Sequence, residues 1–200
     1  VLLTEAELKK VANASRGHRA ASIVLKEEMA AATARSSFDV FLSHSFKDAE
    51  IVLGVKRIFE ELGFTAYVDW IEDSQLDRTK VSSATAELLR TRMRQSKTLI
   101  YVHSNNSPGS RWMPWELGFF DGFRTAVAVL PVAKNSSETF CGQEFLGLYP
   151  YIDGTGPAIL FINRGTASSS RLGSVSSTAN VTFAKSWLKE FAGTNRGALK

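Results

Sequence analysis

From Phe38 to Asn163, short apolar runs of strand length alternate with segments whose apolar residues recur at helical spacing. This rhythm restricts the fold more than any other feature of the chain. Phe38-Asp-Val-Phe-Leu-Ser43 reads as a strand. Ser45 and Asp48 then open a helix on which Ile51, Val52, Val55, Ile58, Phe59 and Leu62 share one face, and Gly63 ends it. Thr65–Trp70 is a second strand and Ile71–Lys80 a charged loop. Val81–Ser96 is a helix with Ala84, Leu88, Leu89 and Met93 inward, and Thr98–Ser104 is a third strand. A loop of turn formers, Asn105–Ser110, leads into an aromatic helix from about Arg111 to Phe123. Ala126–Val132 and Ala158–Asn163 are the fourth and fifth strands, joined by the aromatic-rich connection Lys134–Pro157. Residues 164–178 are Ser/Gly-rich. Asn180–Ala192 is the last helix, with Ala184, Trp187, Leu188 and Phe191 on one face.

Strands that alternate with helices imply an α/β fold: a parallel sheet with helices on both faces. Five strands in this rhythm fit the flavodoxin-like order 2-1-3-4-5. Residues 1–36 differ in style and read as a helical N-terminal extension to a domain spanning 37–200. Thr4 and Glu7 have capping-box spacing, Leu8, Val11 and Ala12 share a face, and a second helix from about His18 to Ala34 has a thin stripe of Ile23, Val24 and Met29. The start at Val1 is read as a processed or trimmed end, and no stretch reads as a signal peptide.

In such sheets ligands bind at the carboxyl ends of the strands, where strands 1 and 3 diverge. That rule selects Ser43-His44-Ser45-Phe46, Ser104-Asn105-Asn106-Ser107 and the helix near Arg111, with Asp69-Trp70 on the border. Several chemistries are excluded there. The chain has no Walker A or dinucleotide glycine fingerprint and no Gly-x-Ser-x-Gly elbow. Its three His and one Cys lack metal-ligand spacing, so no metal is expected. The net charge of +4 suits an anionic small molecule and is too weak and dispersed to indicate nucleic acid. The single thiol, Cys141, cannot form an internal disulfide, which favours a reducing, cytoplasmic location. No apolar run approaches a membrane span.

What remains is Trp112-Met-Pro-Trp115-Glu116-Leu-Gly118. Trp112 and Glu116 are four apart and share a helix face. Pro114 fits only in the first turn, which places Glu116 near the helix N-terminus, where the dipole favours its ionised form. A carboxylate beside indole rings at the switch point suits stabilisation of a cation. Cleavage of the nicotinamide–ribose bond of NAD+ has that need: nicotinamide leaves a pyridinium as a neutral molecule, so no general acid is required. One carboxylate can oppose the oxocarbenium charge, whereas ordinary glycosidases use two. A plainer role for Glu116 is a cap or an ion pair with Arg111 or Arg124. Likewise Arg90, Arg92, Arg94 and Lys97 either bind an anion or complement a helix dipole.

These residues also carry a resemblance. Phe38-Asp-Val-Phe-Leu-Ser-His-Ser resembles the first strand and following loop of Toll/interleukin-1 receptor (TIR) domains. Leu62-Gly-Phe-Thr-Ala-Tyr-Val-Asp69-Trp70 is similar to their second strand, and Trp112-x-x-x-Glu116 resembles the motif of the catalytic glutamate in enzymatic members. The likeness spans about Phe38 to Asn163. It implies a bacterial NAD-consuming enzyme, a hydrolase or a cyclase making a cyclic ADP-ribose isomer, as in Thoeris-type antiphage defence with a downstream effector. It implies Glu116 as the catalytic residue, NAD+ as substrate with no separate cofactor, and self-association through the 71–80 loop. That loop lacks the Pro-Gly common in receptor and adaptor members. Expected substrate contacts are Ser43, His44, Phe46, Asp69, Trp70, Ser107, Trp112 and Trp115. Two alternatives are a non-enzymatic TIR–TIR interaction module and an N-glycoside enzyme acting on nucleosides; no nucleoside motif supports the latter.

Overall fold

The computed structural model describes residues 1–32, 35–69, 83–138, 144–157, 159–163 and 181–193. The expectations placed on Trp70, the 71–80 loop, Cys141, Ala158 and residues 164–178 lie outside the described residues.

In chain order the elements are β1 (Leu3–Thr4), α1 (Glu5–Arg16), α2 (Ala21–Ala32), β2 (Phe38–Ser43), α3 (Ala49–Glu61), β3 (Ala66–Val68), α4 (Ser83–Arg94), β4 (Ser96–His103), α5 (Trp112–Phe123), β5 (Val127–Ala133), β6 (Tyr151–Gly154), β7 (Leu160–Asn163), β8 (Val181–Phe183) and α6 (Ala184–Gly193). The sheet runs β3-β2-β4-β5-β6-β7-β8. The strands from β3 to β6 are parallel. Counted from β2, their order is the expected 2-1-3-4-5.

The fifth parallel strand is not the segment that the apolar pattern selects. It is Tyr151–Gly154, inside the stretch read as a connection, and it joins β5 through Val129 and Tyr151. Leu160–Asn163 instead runs antiparallel to it. The reason is chain length. Between Gly154 and Leu160 lies a tight turn in which Thr155 N–H donates to Ile159 O and Ile159 N–H to Gly156 O, with Gly156 at φ 133°. A parallel return would need a crossover of a dozen residues or more. Similarly, the β-branched and aromatic run Val181-Thr182-Phe183 pairs with β7 as a strand, so the last helix begins at Ala184.

Each face of the sheet carries its own core. Val40, Leu42, Ile100, Val102, Ala128 and Leu130 face α1, α2, α3 and α6. Phe41, Leu99, Tyr101, Val127 and Val129 face α4 and α5. Ala184, Trp187 and Leu188 are buried as expected. Leu88 is exposed, because the inward face of α4 passes through Ala86, Leu89 and Met93, which are mutually three, four and seven apart. Ile23 is exposed for the same reason: Ala21, Val24 and Leu25 hold the buried stripe of α2.

Residues 1–32 are built into this structure. Leu3 and Thr4 continue a parallel ladder on Val132 and Ala133 of β5, and the Gly154 amide at the end of β6 donates to Val1 O at 2.8 Å. Thr4 and Glu7 form the capping box, with Thr4 N–H donating to Glu7 Oε2 at 2.8 Å. Leu8 and Ala12 are fully buried.

Helix α2 is tied to α3 by ions. Glu28 pairs with Lys56 at 2.7 Å and with Arg57, and both cations also pair with Glu60. Burial pushes the Glu28 carboxyl up, but hydrogen bonds from Arg57 and Lys56 outweigh it, so the group sits below its ordinary value of 4.5. A depressed carboxyl stabilises the fold fully above its unfolded pKa and loses that contribution as pH falls through the folded one. Urea unfolding between pH 5 and pH 3 is therefore expected to show a shallower loss of stability for Glu28→Gln than for the parent chain. Parallel acid limbs would show that the cluster does not couple to folding.

Candidate active site

The carboxyl ends of β2 and β4 meet the first turns of α5. Trp112, Met113 and Pro114 are the first three residues of α5, where the missing N–H of proline has no intrahelical partner to lose. Glu116 follows one turn in. It is buried at 6 % exposure.

Ser43, the last residue of β2 and itself 0 % exposed, donates its hydroxyl to Glu116 Oε2 at 2.6 Å. In register with Ser43 on β4 is Tyr101. Its phenol is pushed up to about 12, chiefly by burial and then by the Glu116 charge. Tyr67 on β3 is also raised, by burial first and then by Asp69, with Glu116 adding and Arg92 opposing. Both phenols thus stay protonated around an acidic group. The pattern Leu99-Ile-Tyr101-Val carried a signal for Tyr101, since alternation puts it on the face opposite Val102; sequence reasoning named neither tyrosine.

The other expected contacts divide by position. Asp69 is buried where β3 ends. His44 is buried, and its Nδ1 lies 2.8 Å from Leu42 O. A carbonyl can only accept, so Nδ1 carries the proton. With the Ser43 hydroxyl donating to Glu116, Ser43 and His44 do not form a nucleophile–base pair. Phe46 is 41 % exposed, at the rim. Ser107 is buried in the loop after β4; its Oγ accepts from Ser104 N–H at 2.8 Å and donates to Val102 O at 3.1 Å. Trp112 is buried with its ring edge-on to Trp115 at 5.3 Å, and Trp115 stacks on Phe119. Trp70 lies outside the described residues.

Asp48 precedes α3, as expected, but makes no side-chain cap there. It accepts instead from Ser104 Oγ at 2.5 Å and Asn106 Nδ2 at 2.6 Å, clamping the loop after β4 to the start of α3. The basic run of α4 has a third use that the sequence did not suggest. The guanidiniums of Arg90, Arg92 and Arg94 lie 5.5 Å from the rings of Trp115, Tyr67 and Phe119 respectively, a cation–π arrangement that fastens α4 to the site wall.

A cavity of about 530 Å³ lies elsewhere, between α2, the end of α3 and β3. Leu25, Met29, Phe64 and the Glu28–Arg57 pair line it, and neither Ser43 nor Glu116 does. Among the described residues no helix is long and apolar enough to cross a membrane.

No protein-family model matches the chain. Two curated relatives do. One, from Bacillus cereus (strain MSX-D12), is named "Probable 3' cyclic ADP-D-ribose synthase ThsB'" and is 58 % identical over 116 residues, 58 % of this chain and 60 % of the relative. The other, from Cytobacillus dafuensis, is named "Putative cyclic ADP-D-ribose synthase TIR2" and is 39 % identical over 83 residues, 41 % of this chain and 22 % of the relative. The match thus spans less than two thirds of either relative's length. The resemblance to bacterial TIR proteins is borne out by both, and the second carries TIR in its name.

Proposed function

We propose that this chain is a TIR-type enzyme that breaks the nicotinamide–ribose bond of NAD+ and closes the remaining ADP-ribose into a cyclic isomer. The observation that carries this reading is Glu116: a carboxylate buried at the carboxyl ends of the parallel strands, with the Ser43 hydroxyl donating to it. The names of the two relatives support the cyclic product.

In this reading the bond between the ribose anomeric carbon and the pyridinium nitrogen breaks, and its electron pair leaves with neutral nicotinamide. The positive charge developing on the ribose faces the Glu116 carboxylate, which opposes it in a water-poor setting where a fixed charge acts strongly. A hydroxyl of the same molecule then bonds to that carbon and releases one proton, giving the cyclic product. Water in its place gives ADP-ribose. Asp69 and Trp112 would wall the ring, and His44 would offer Nε2 to a substrate hydroxyl. Following the resemblance, the product serves as a signal to a partner effector in antiphage defence, and assembly through the 71–80 loop controls activity.

The test is incubation of the protein with NAD+, with products resolved by chromatography and mass spectrometry. Nicotinamide is expected together with a species one water lighter than ADP-ribose. ADP-ribose alone would reassign the enzyme as a hydrolase. NAD+ recovered intact at high protein concentration with a crowding agent would favour the TIR–TIR interaction module instead.

A further inference from the structure

We propose that Ser43 is a positioning residue: its hydroxyl holds Glu116 Oε2 and so sets the rotamer in which the carboxylate meets the substrate, and Ser43 itself does not contact the substrate. This inference rests on the reading that Glu116 acts on the bound nucleotide.

Three observations carry it. The 2.6 Å separation falls in the short range of hydroxyl-to-carboxylate bonds. Ser43 is 0 % exposed, and a serine has one proton to donate, which here goes to Glu116. Its backbone is held on both sides, since β2 pairs with β3 through Leu42 and Val68 and with β4 through Ser43 and Tyr101. The donor is therefore a fixed point in the middle of the sheet. The glutamate has three side-chain torsions and sits on a different element, 73 residues away in sequence. A fixed donor at one oxygen selects one rotamer, the kind of preorganisation that chemistry at a developing charge requires. The alternative roles fail on the same geometry. A nucleophilic Ser43 would need a base, yet the Nδ1–H of His44 is directed to Leu42 O. A phosphate-binding Ser43 would need a second proton, and a ribose-binding one would need an exposed face, yet Ser43 is 0 % exposed.

The experiment compares the parent chain with Ser43→Ala, Ser43→Thr and Glu116→Gln. It measures kcat and KM for NAD+ turnover and, by calorimetry, the Kd of a non-cleavable carbocyclic NAD+ analogue. Ser43→Ala is expected to lower kcat by about ten- to a hundredfold, with KM and the analogue's Kd changed less than about twofold. Ser43→Thr, which retains the hydroxyl, is expected to recover much of the loss. Should the alanine variant lose its far-UV dichroism, Ser43→Cys, close in size and a weak donor, carries the same comparison. An analogue Kd weakened tenfold in Ser43→Ala would overturn the proposal in favour of direct contact, and an unchanged kcat would also overturn it. If Glu116→Gln turns over NAD+ as well as the parent does, the reading of Glu116 fails first. An inactive Glu116→Gln beside a fully active Ser43→Ala removes the positioning role alone.

Discussion

Glu116→Gln is expected to lower the rate of nicotinamide release by about a hundredfold or more without unfolding the protein. Glutamine has the length of glutamate and keeps a carbonyl oxygen to accept the Ser43 hydroxyl, which lies 2.6 Å from Oε2 in the parent. The helix and its contacts with the sheet therefore remain. What disappears is the negative charge, and that charge is the part of the side chain on which the proposed chemistry depends. Removing a charge at 6 % exposure also removes its desolvation cost, so the melting temperature should be unchanged or higher. Loss of activity with a retained melt would identify a functional carboxylate. Loss of both would point to a structural one, and full activity would send the search for the catalytic group elsewhere in the crevice.

Gly54→Ala is expected to destabilise the protein by about 1–3 kcal/mol, although in an exposed helix the same change stabilises by about 1 kcal/mol. The sign reverses because α1 sits on Gly54. A Cβ placed there would lie 2.2 Å from Leu8 O and 2.8 Å from Leu8 C, both backbone atoms in a helix. A flexible side chain could swing aside; a mid-helix carbonyl cannot move without moving α1. That shift would loosen Leu8 and Ala12 from the core they share with Val52, Val55 and Phe59. Leu8→Ala leaves that carbonyl in place but empties part of the core beneath α1, and should cost about 2–5 kcal/mol. Chemical denaturation followed by far-UV dichroism measures both. A Gly54→Ala variant as stable as the parent would mean that α1 does not rest on α3 in solution.

These two positions differ in how far the sequence revealed them. Glu116 could be found without coordinates, because helical spacing puts it on one face with Trp112, Pro114 marks the first turn, and the switch-point rule points to the carboxyl ends of the strands. Its surroundings could not. Tyr67, Tyr101 and Ser43 lie on three different strands, and they converge on Glu116 only through the strand order and register. Gly54 looked like any glycine in an amphipathic helix. That it receives the Leu8 carbonyl depends on how α1 packs, which no local pattern records. Arg90, Arg92 and Arg94 read as an anion site or a complement to the helix dipole until the rings of α5 and of Tyr67 on β3 came to lie beside them.

Legible in the residues alone were the alternation of strands and helices, the parallel order from β3 to β5, the capping box at Thr4 and the place of the Glu116 helix at the carboxyl ends of the strands. Each follows from periodicity or from a side chain bonding within its own turn, interactions that a few neighbouring residues specify. Tertiary structure alone decided that Tyr151–Gly154 rather than Leu160–Asn163 is the fifth parallel strand and that β7 and β8 extend the sheet antiparallel. It also decided that the first residues of the chain pair with β5, and that Glu116 is held by Ser43. Those outcomes depend on which distant surfaces fit together and on whether a connection is long enough to cross over, quantities that exist only once the whole chain is folded.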